Sequence, residues 1–157
     1  MRRITLIAGI IIALLALLMT TSVIGQTSPA VTTMKLNAGI ITPLLKETRA
    51  FYIRTFQFGV IFENEFYVLM HTPDHQAAIS FLLPKHASQQ PLFQSPFQGQ
   101  GVYLTIEVDD VDAEYRRIKA LNVPIAIDLR DEPWGDRHFA VKDPNGIGID
   151  VVKYQKK

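Results

Sequence analysis

The sequence predicts an α+β fold made of two tandem β-α-β-β-β modules. Runs of β-branched and aromatic residues with period-two alternation are interrupted twice by stretches of helical spacing. The order of these segments is the same in both halves of the chain. Landmarks also return at an offset of about 65 residues: Tyr52 falls where Ile118 does, and Phe56-Gln57-Phe58 where Leu121-Asn122-Val123 does. Two like units of this size bury a shared core, which suits a chain of 157 residues.

The first module covers about residues 35–84. KLNAGIIT reads as its opening strand. Pro43 suits an early helix position, and LLKETRAFYIRTF follows with Leu45, Thr48, Phe51, Tyr52 and Phe56 at near-helical spacing. FGVIFEN and EFYVLMH are strands that meet in a hairpin at Asn64–Glu65, and QAAISFLLP is a further strand closed by Pro84. HASQQPLFQSPFQGQG, rich in Gln, Pro and Gly, reads as a linker loop.

The second module covers about residues 101–155. GVYLTIEV alternates as a strand should. DDVDAEYRRIKALNV is a helix with Asp109 or Asp110 as N-cap and Val111, Tyr115, Ile118 and Leu121 on one face. PIAIDLRDE, RHFAVKD and GIGIDVVKY are three strands. The last two are joined by Asp143-Pro144-Asn145-Gly146, where proline presets φ and glycine supplies a positive φ.

Residues 1–33 stand apart. Arg2 and Arg3 precede an apolar run from Ile4 to Met19, the pattern of an export signal. Residues 4–25 are also long enough for a membrane anchor, at roughly 20 residues per crossing. Both readings place the domain outside the cytoplasm, periplasmic, extracellular or anchored. A start at Met34 would instead leave it cytoplasmic. The domain from residue 34 to 157 carries 14 basic and 15 acidic residues, nearly neutral, and has no charge run. Electrostatic nucleic-acid binding is therefore not expected. The chain has no cysteine, which excludes disulfides, thiol catalysis and cysteine zinc sites.

The helix ending its approach in Ala50-Phe51-Tyr52, the VDDVDAEYRRI helix start and WGDRHFAVKDPNGIGIDVV together resemble the vicinal oxygen chelate superfamily. It includes glyoxalase I, bleomycin-resistance proteins, fosfomycin-resistance enzymes and extradiol dioxygenases. The resemblance runs from about Lys35 to Tyr154. It implies that each module curls its mixed sheet into half of a cup with flanking helices, and that the cup holds a small molecule. It also implies pairing of modules within one chain or across a dimer, and a homodimer is expected.

Metal-dependent members of that family take one ligand from the first and one from the last strand of each module, His or Gln first and Glu last. On this chain those positions are Asn37, Ser80, Tyr103 and Asp150. Only Asp150 is a good ligand; Asn37 offers a carbonyl oxygen, Ser80 a neutral hydroxyl and Tyr103 a phenol. Catalytic transition-metal sites use about three His, Glu, Asp or Cys ligands. No cofactor is therefore expected, the alternative being a divalent metal built on Asp150 and Asn37.

Strand parity adds that Tyr103, Thr105 and Glu107 share one face, as do Gly148, Asp150 and Val152. Tyr103 and Asp150 make either a hydrogen-bonded pair on the cleft floor or a ligand contact. Glu107 is a candidate general base if desolvated, and otherwise a solvated strand-end carboxylate. Arg137 and His138 point to opposite faces, so one at most meets a ligand. Arg137 suits a carboxylate or phosphate, or an ion pair with Asp136 or Glu132. Trp134 is either a flat wall for a planar ligand or a core anchor. His71, His75 and His86 show no ligand spacing and read as incidental.

The expected ligand contacts are thus Asn37, Ser80, Tyr103, Trp134, Arg137 and Asp150. The function these imply is metal-free binding of a small aromatic or amphipathic molecule. A glyoxalase-like lyase or isomerase, or a dioxygenase-type enzyme, is the alternative, and an interaction domain with a vestigial cleft is the third.

Overall fold

The computed structural model describes residues 34–155; the apolar leader, with its signal-or-anchor reading, and the last two residues lie outside that range. The element order is β1 (Ala38–Ile41), α1 (Leu45–Phe56), β2 (Gly59–Glu63), β3 (Tyr67–His71), β4 (Ala78–Leu82), β5 (Tyr103–Glu107), α2 (Val111–Ala120), β6 (Ile125–Asp131), β7 (Asp136–Lys142) and β8 (Gly148–Tyr154). The strands form two four-stranded sheets in the orders β1-β4-β3-β2 and β5-β8-β7-β6. In each sheet the first strand runs parallel to the last and the other neighbours are antiparallel. The repeated β-α-β-β-β order read from the sequence is therefore present, in an α+β arrangement with no closed barrel among the described residues.

Alternation decides which sheet face is buried. Ile40, Val68, Met70, Ile79 and Phe81 in the first sheet, and Phe139, Val141, Ile149 and Val151 in the second, are all buried. They form one core cluster with Leu45, Tyr52 and Phe56 of α1 and Val111 and Ile118 of α2. Burying a large apolar side chain of this kind contributes about 2 kcal/mol.

The helix termini differ from one another. Asp110 caps α2, its Oδ1 accepting from Ala113 N at 2.9 Å. Leu44 caps α1 without a side-chain bond, and Thr42 Oγ1 accepts Leu44 N at 2.9 Å in its place. Pro43 sits before that cap rather than inside the helix, where its missing N–H costs nothing.

The Asp143–Gly146 turn joins the two modules. Asp143 Oδ1 accepts from Asn145 N at 2.8 Å and Ile147 N at 2.9 Å, while Oδ2 accepts from Asn145 Nδ2 at 2.9 Å and Tyr52 OH at 3.3 Å. Asn145 Nδ2 also donates to Thr48 Oγ1 at 3.1 Å, and Thr42 Oγ1 donates to Asn145 Oδ1. Thr42, Thr48 and Tyr52 belong to the first module, so one turn of the second is fastened across to α1. Gly146, at φ 79°, closes the turn in a conformation that a side chain would strain.

Burial, and next the Asp143 carboxylate, pushes the Tyr52 phenol well above its ordinary value of 10.0. A raised folded-state value means that this contribution is full below about pH 10 and is lost as pH rises through the folded-state value. Asp143→Ala strands buried backbone donors and is expected to cost about 3 kcal/mol, against about 1 kcal/mol for Tyr52→Phe. Tyr52→Phe should also flatten the alkaline limb of the stability curve. Urea unfolding at several pH values checks both, and a loss below about 0.5 kcal/mol for Asp143→Ala would show the latch to be dispensable.

Candidate functional site

The faces turned away from the helices carry the site candidates, and the pairing registers bring equivalent positions together. Gly39 lies opposite Ser80 in the first sheet, and Thr105 opposite Asp150 in the second. Leu69 lies opposite Ser80, as Ala140 lies opposite Asp150. One step along the same face, Tyr67 lies opposite Leu82 and His138 opposite Val152. Ser80 and Asp150 are thus counterparts, and so are Tyr67 and His138.

The first face forms a cavity of about 530 Å³. Gly39, Ile41, Ser80, Leu82 and Tyr67 make its floor and near wall, Phe62, Asn64 and Phe66 its side, and Gln89 and Phe93 its cover. Gly39 keeps the floor flat, since a Cβ there would stand 3.2 Å from Ser80 Oγ. Ser80 is buried and its hydroxyl donates to Ala38 O at 3.3 Å. A mainly apolar concavity with a few placed polar groups is the usual form of a small-molecule site.

The segment expected to be a plain linker supplies the cover. It contains a 3-10 turn at Pro91–Phe93 and is tied to the cavity's side at one end and its floor at the other. Phe97 N donates to Ile41 O at 2.8 Å, and His86 stacks on Phe66 with ring centroids 3.8 Å apart. Sequence reasoning identified Ser80 but missed Phe62, Tyr67, Gln89 and Phe93. The exposed apolar pair Leu92-Phe93, inside a segment otherwise dominated by Gln, Ser and Pro, was the available signal.

The second face holds a polar network. His138 Nδ1 lies 2.6 Å from Asp150 Oδ1, and Nε2 lies 3.0 Å from Glu132 Oε1. Arg130 Nε holds the same Glu132 oxygen at 2.7 Å. With a carboxylate at each ring nitrogen, both can be satisfied only when both carry protons. Burial works against the imidazolium, but Asp150 and Glu132 outweigh it and hold His138 above its ordinary 6.5. Burial likewise works upward on Glu132, yet the bonds from His138 and Arg130 keep that carboxyl below its usual range.

The remaining expected contacts do not line that cavity. Tyr103 is 73% exposed and does not pair with Asp150, which His138 occupies instead. Trp134 is 67% exposed, with Nε1 donating to Asp136 Oδ2 at 2.8 Å, so it is no core anchor. Arg137 points to the helix side of its sheet, as opposite parity to His138 requires. There it grips Asp112 at 2.8 and 2.9 Å and Asp131 at 2.9 Å. Those ion pairs, rather than ones to Asp136 or Glu132, consume its guanidinium, and they hold the Asp112 carboxyl below its usual range. Asn37 is exposed and precedes β1. Glu107 is exposed at a wide cleft of about 760 Å³ whose lining mixes apolar residues with Asp74, Asp109, Glu114 and Arg117, without the burial that a base role required. His71, at the end of β3, and His75, in the β3–β4 connection, stack with ring centroids 3.7 Å apart.

The four family metal positions were tested by their donors. Ser80 and Asn37 are neutral, Tyr103 is a phenol, and the one carboxylate is bonded to His138. Among the described residues no three His, Asp or Glu side chains are grouped to hold a metal ion. This donor set does not fit the divalent ion that the family carries.

A family model, the Glyoxalase/Bleomycin resistance protein/Dioxygenase superfamily, matches residues 34–151. The chain belongs to that superfamily. Among solved structures, a glyoxalase/bleomycin resistance protein/dioxygenase from Nocardioides is similar with a TM-score of 0.65 at 15% identity, over 83% of this chain and 88% of that one. Lactoylglutathione lyase from Agrobacterium tumefaciens gives 0.64 at 20% identity, over 78% and 94%. TnmS3, an antibiotic binding protein from Streptomyces sp. CB03234, gives 0.61 at 19%, over 80% and 98%. At these identities the likeness shows the fold. None of the curated proteins matches the chain.

The superfamily framework leaves His138 as a directly testable feature of this chain. Its raised value means that the His138 contribution to stability is full below pH 6.5 and is lost as pH rises through the folded-state value. NMR titration should place the imidazole above 6.5, and Asp150→Asn should bring it down. An unchanged titration in Asp150→Asn would contradict the network.

Proposed function

We propose that this chain is a small-molecule-binding protein of the glyoxalase/bleomycin resistance superfamily, with its ligand held in the first module's cavity and without a divalent ion. The observation that carries the reading is the cavity itself: about 530 Å³, concave, and walled by Phe62, Tyr67, Leu82 and Phe93 over a Ser80 floor. Its volume lies within the range of roughly 300–1,000 Å³ common for drug-sized ligands. The antibiotic binding described for TnmS3 shows that this fold can serve such a role, although that ligand belongs to TnmS3. The mismatch between the donor set and a transition ion supports the metal-free part.

A second reading, acid/base catalysis on the outer face of the second module, is favoured by His138 standing between Asp150 and Glu132. A histidine so held is oriented, and can pass a proton to a bound molecule once one carboxylate is displaced. Both of its nitrogens are engaged, however, which leaves it better placed to brace the sheet than to attack a substrate.

Two measurements on the purified protein test the first reading. Elemental analysis should find far less than one divalent ion per chain; stoichiometric Ni, Zn, Mn or Fe would contradict it. In a small-molecule thermal-shift screen, Tyr67→Ala and Phe93→Ala should abolish the shifts given by hits, while Tyr103→Ala should preserve them. The reverse pattern would move the site to the second module.

A further inference from the structure

We infer that the first module's cavity selects an uncharged aromatic ligand, and that Gln89 and Phe93, brought over it by the inter-module segment, set that selection. The inference rests on the reading of this cavity as the binding site, and adds the chemical class of what enters it.

None of the ten lining residues is Asp, Glu, Lys, Arg or His. The three side chains that offer amide or aliphatic hydroxyl groups, Ser80, Asn64 and Gln89, are neutral and already partly engaged. Ser80 donates to Ala38 O, Asn64 Oδ1 accepts from Phe66 N at 3.0 Å, and Gln89 Nε2 donates to Ser88 Oγ at 3.2 Å. What remains for a ligand is the Asn64 amide NH₂, the Gln89 carbonyl oxygen and the Tyr67 hydroxyl, donors and acceptors without charge. Beside Asn64, the Glu63 carboxylate is held by Arg49 at 2.8 Å, so neither supplies a free charge at that wall. A carboxylate, phosphate or ammonium settling in this cavity would shed part of its water and meet no charged side chain in the lining, which is unfavourable. An aromatic molecule loses nothing comparable and packs against Phe62, Phe66, Tyr67 and Phe93.

The two modules make the contrast internal to the chain. Where the first has Ser80 and Tyr67, the second has Asp150 and His138, with Glu132 and Arg130 alongside. The duplicated scaffold therefore accommodates charge on this face, and the first module simply lacks it. Gln89 and Phe93 are also held in place rather than draped. Gln94 Nε2 donates to Gln89 O at 2.6 Å, Lys85 N donates to Gln94 O at 3.1 Å, and Phe97 N closes the segment onto Ile41 O. A cover fixed in this way adds contacts without a large ordering cost on binding.

Two dyes with one skeleton test the inference: N-phenyl-1-naphthylamine, which is neutral, and 8-anilino-1-naphthalenesulfonate, which adds a sulfonate. Fluorescence titrations of the full chain are compared between wild type and variants, so that dye taken up by the apolar leader cancels. The neutral dye should bind at least tenfold more tightly than the sulfonate. Phe93→Ala, on an exposed segment where folding is not at stake, should weaken the neutral dye at least fivefold. Gln89→Lys should strengthen the sulfonate at least tenfold and so narrow or reverse the preference for the neutral dye. Equal affinities for the two dyes, both weakened by Phe93→Ala, would overturn the charge selection and leave the cavity standing as the site. Neutral-dye binding untouched by both Phe93→Ala and Tyr67→Ala would overturn the cavity reading and the inference with it.

Discussion

A buried carboxylate fastens the two modules of this chain together. Asp143, 5% exposed, receives hydrogen bonds from two backbone amides, the Asn145 amide group and the Tyr52 hydroxyl. Ionised groups at such depth persist only when their lone pairs are filled, and here four donors fill them. Tyr52 is itself fully buried and packs on Phe58 and Phe81, with ring centroids 5.4 and 5.1 Å away. The polar latch and the aromatic core therefore hold the same helix. Both sheets lay their apolar faces against one continuous cluster as a result, and their other faces remain available for function.

Those remaining faces have diverged. The first is an apolar concavity that needs a cover, and the segment between the modules provides one. The second fills its own floor with ion pairs, so that the groups best suited to chemistry are already paired with one another. The same backbone register underlies both, so the side chains at equivalent positions distinguish a neutral cup from a charged network. Arg137 illustrates the rule of parity. One residue from His138, it serves the opposite side of the sheet and ties β7 to α2 through Asp112.

Much of this was legible in the sequence because the relevant signals are local. Period-two alternation placed the strands, helical spacing placed α1 and α2, and Asp-Pro-Asn-Gly announced its turn. The roles of individual residues were harder to read, for physical reasons. Asp143 looked like turn chemistry alone, because its partner Tyr52 lies 91 positions away. Tyr103 and Asp150 share a face, but parity does not say which neighbour reaches first, and His138 across the β7–β8 pair does. The cover segment has no periodicity to read, and its apolar pair Leu92-Phe93 does not say what it covers; the anchors of Phe97 on Ile41 and His86 on Phe66 do. The superfamily resemblance, by contrast, was carried by short motifs and held across residues 34–151.

The proposed binding face is the outer face of the first module and not that of the second. Amide chemical-shift mapping with a neutral aromatic compound distinguishes the two. Perturbations should centre on Gly39, Ile41, Ser80, Leu82 and Phe93, with Thr105, Asp150 and Val152 unmoved. Shifts centred on Tyr103, Asp150 and His138, with the first module silent, would contradict it.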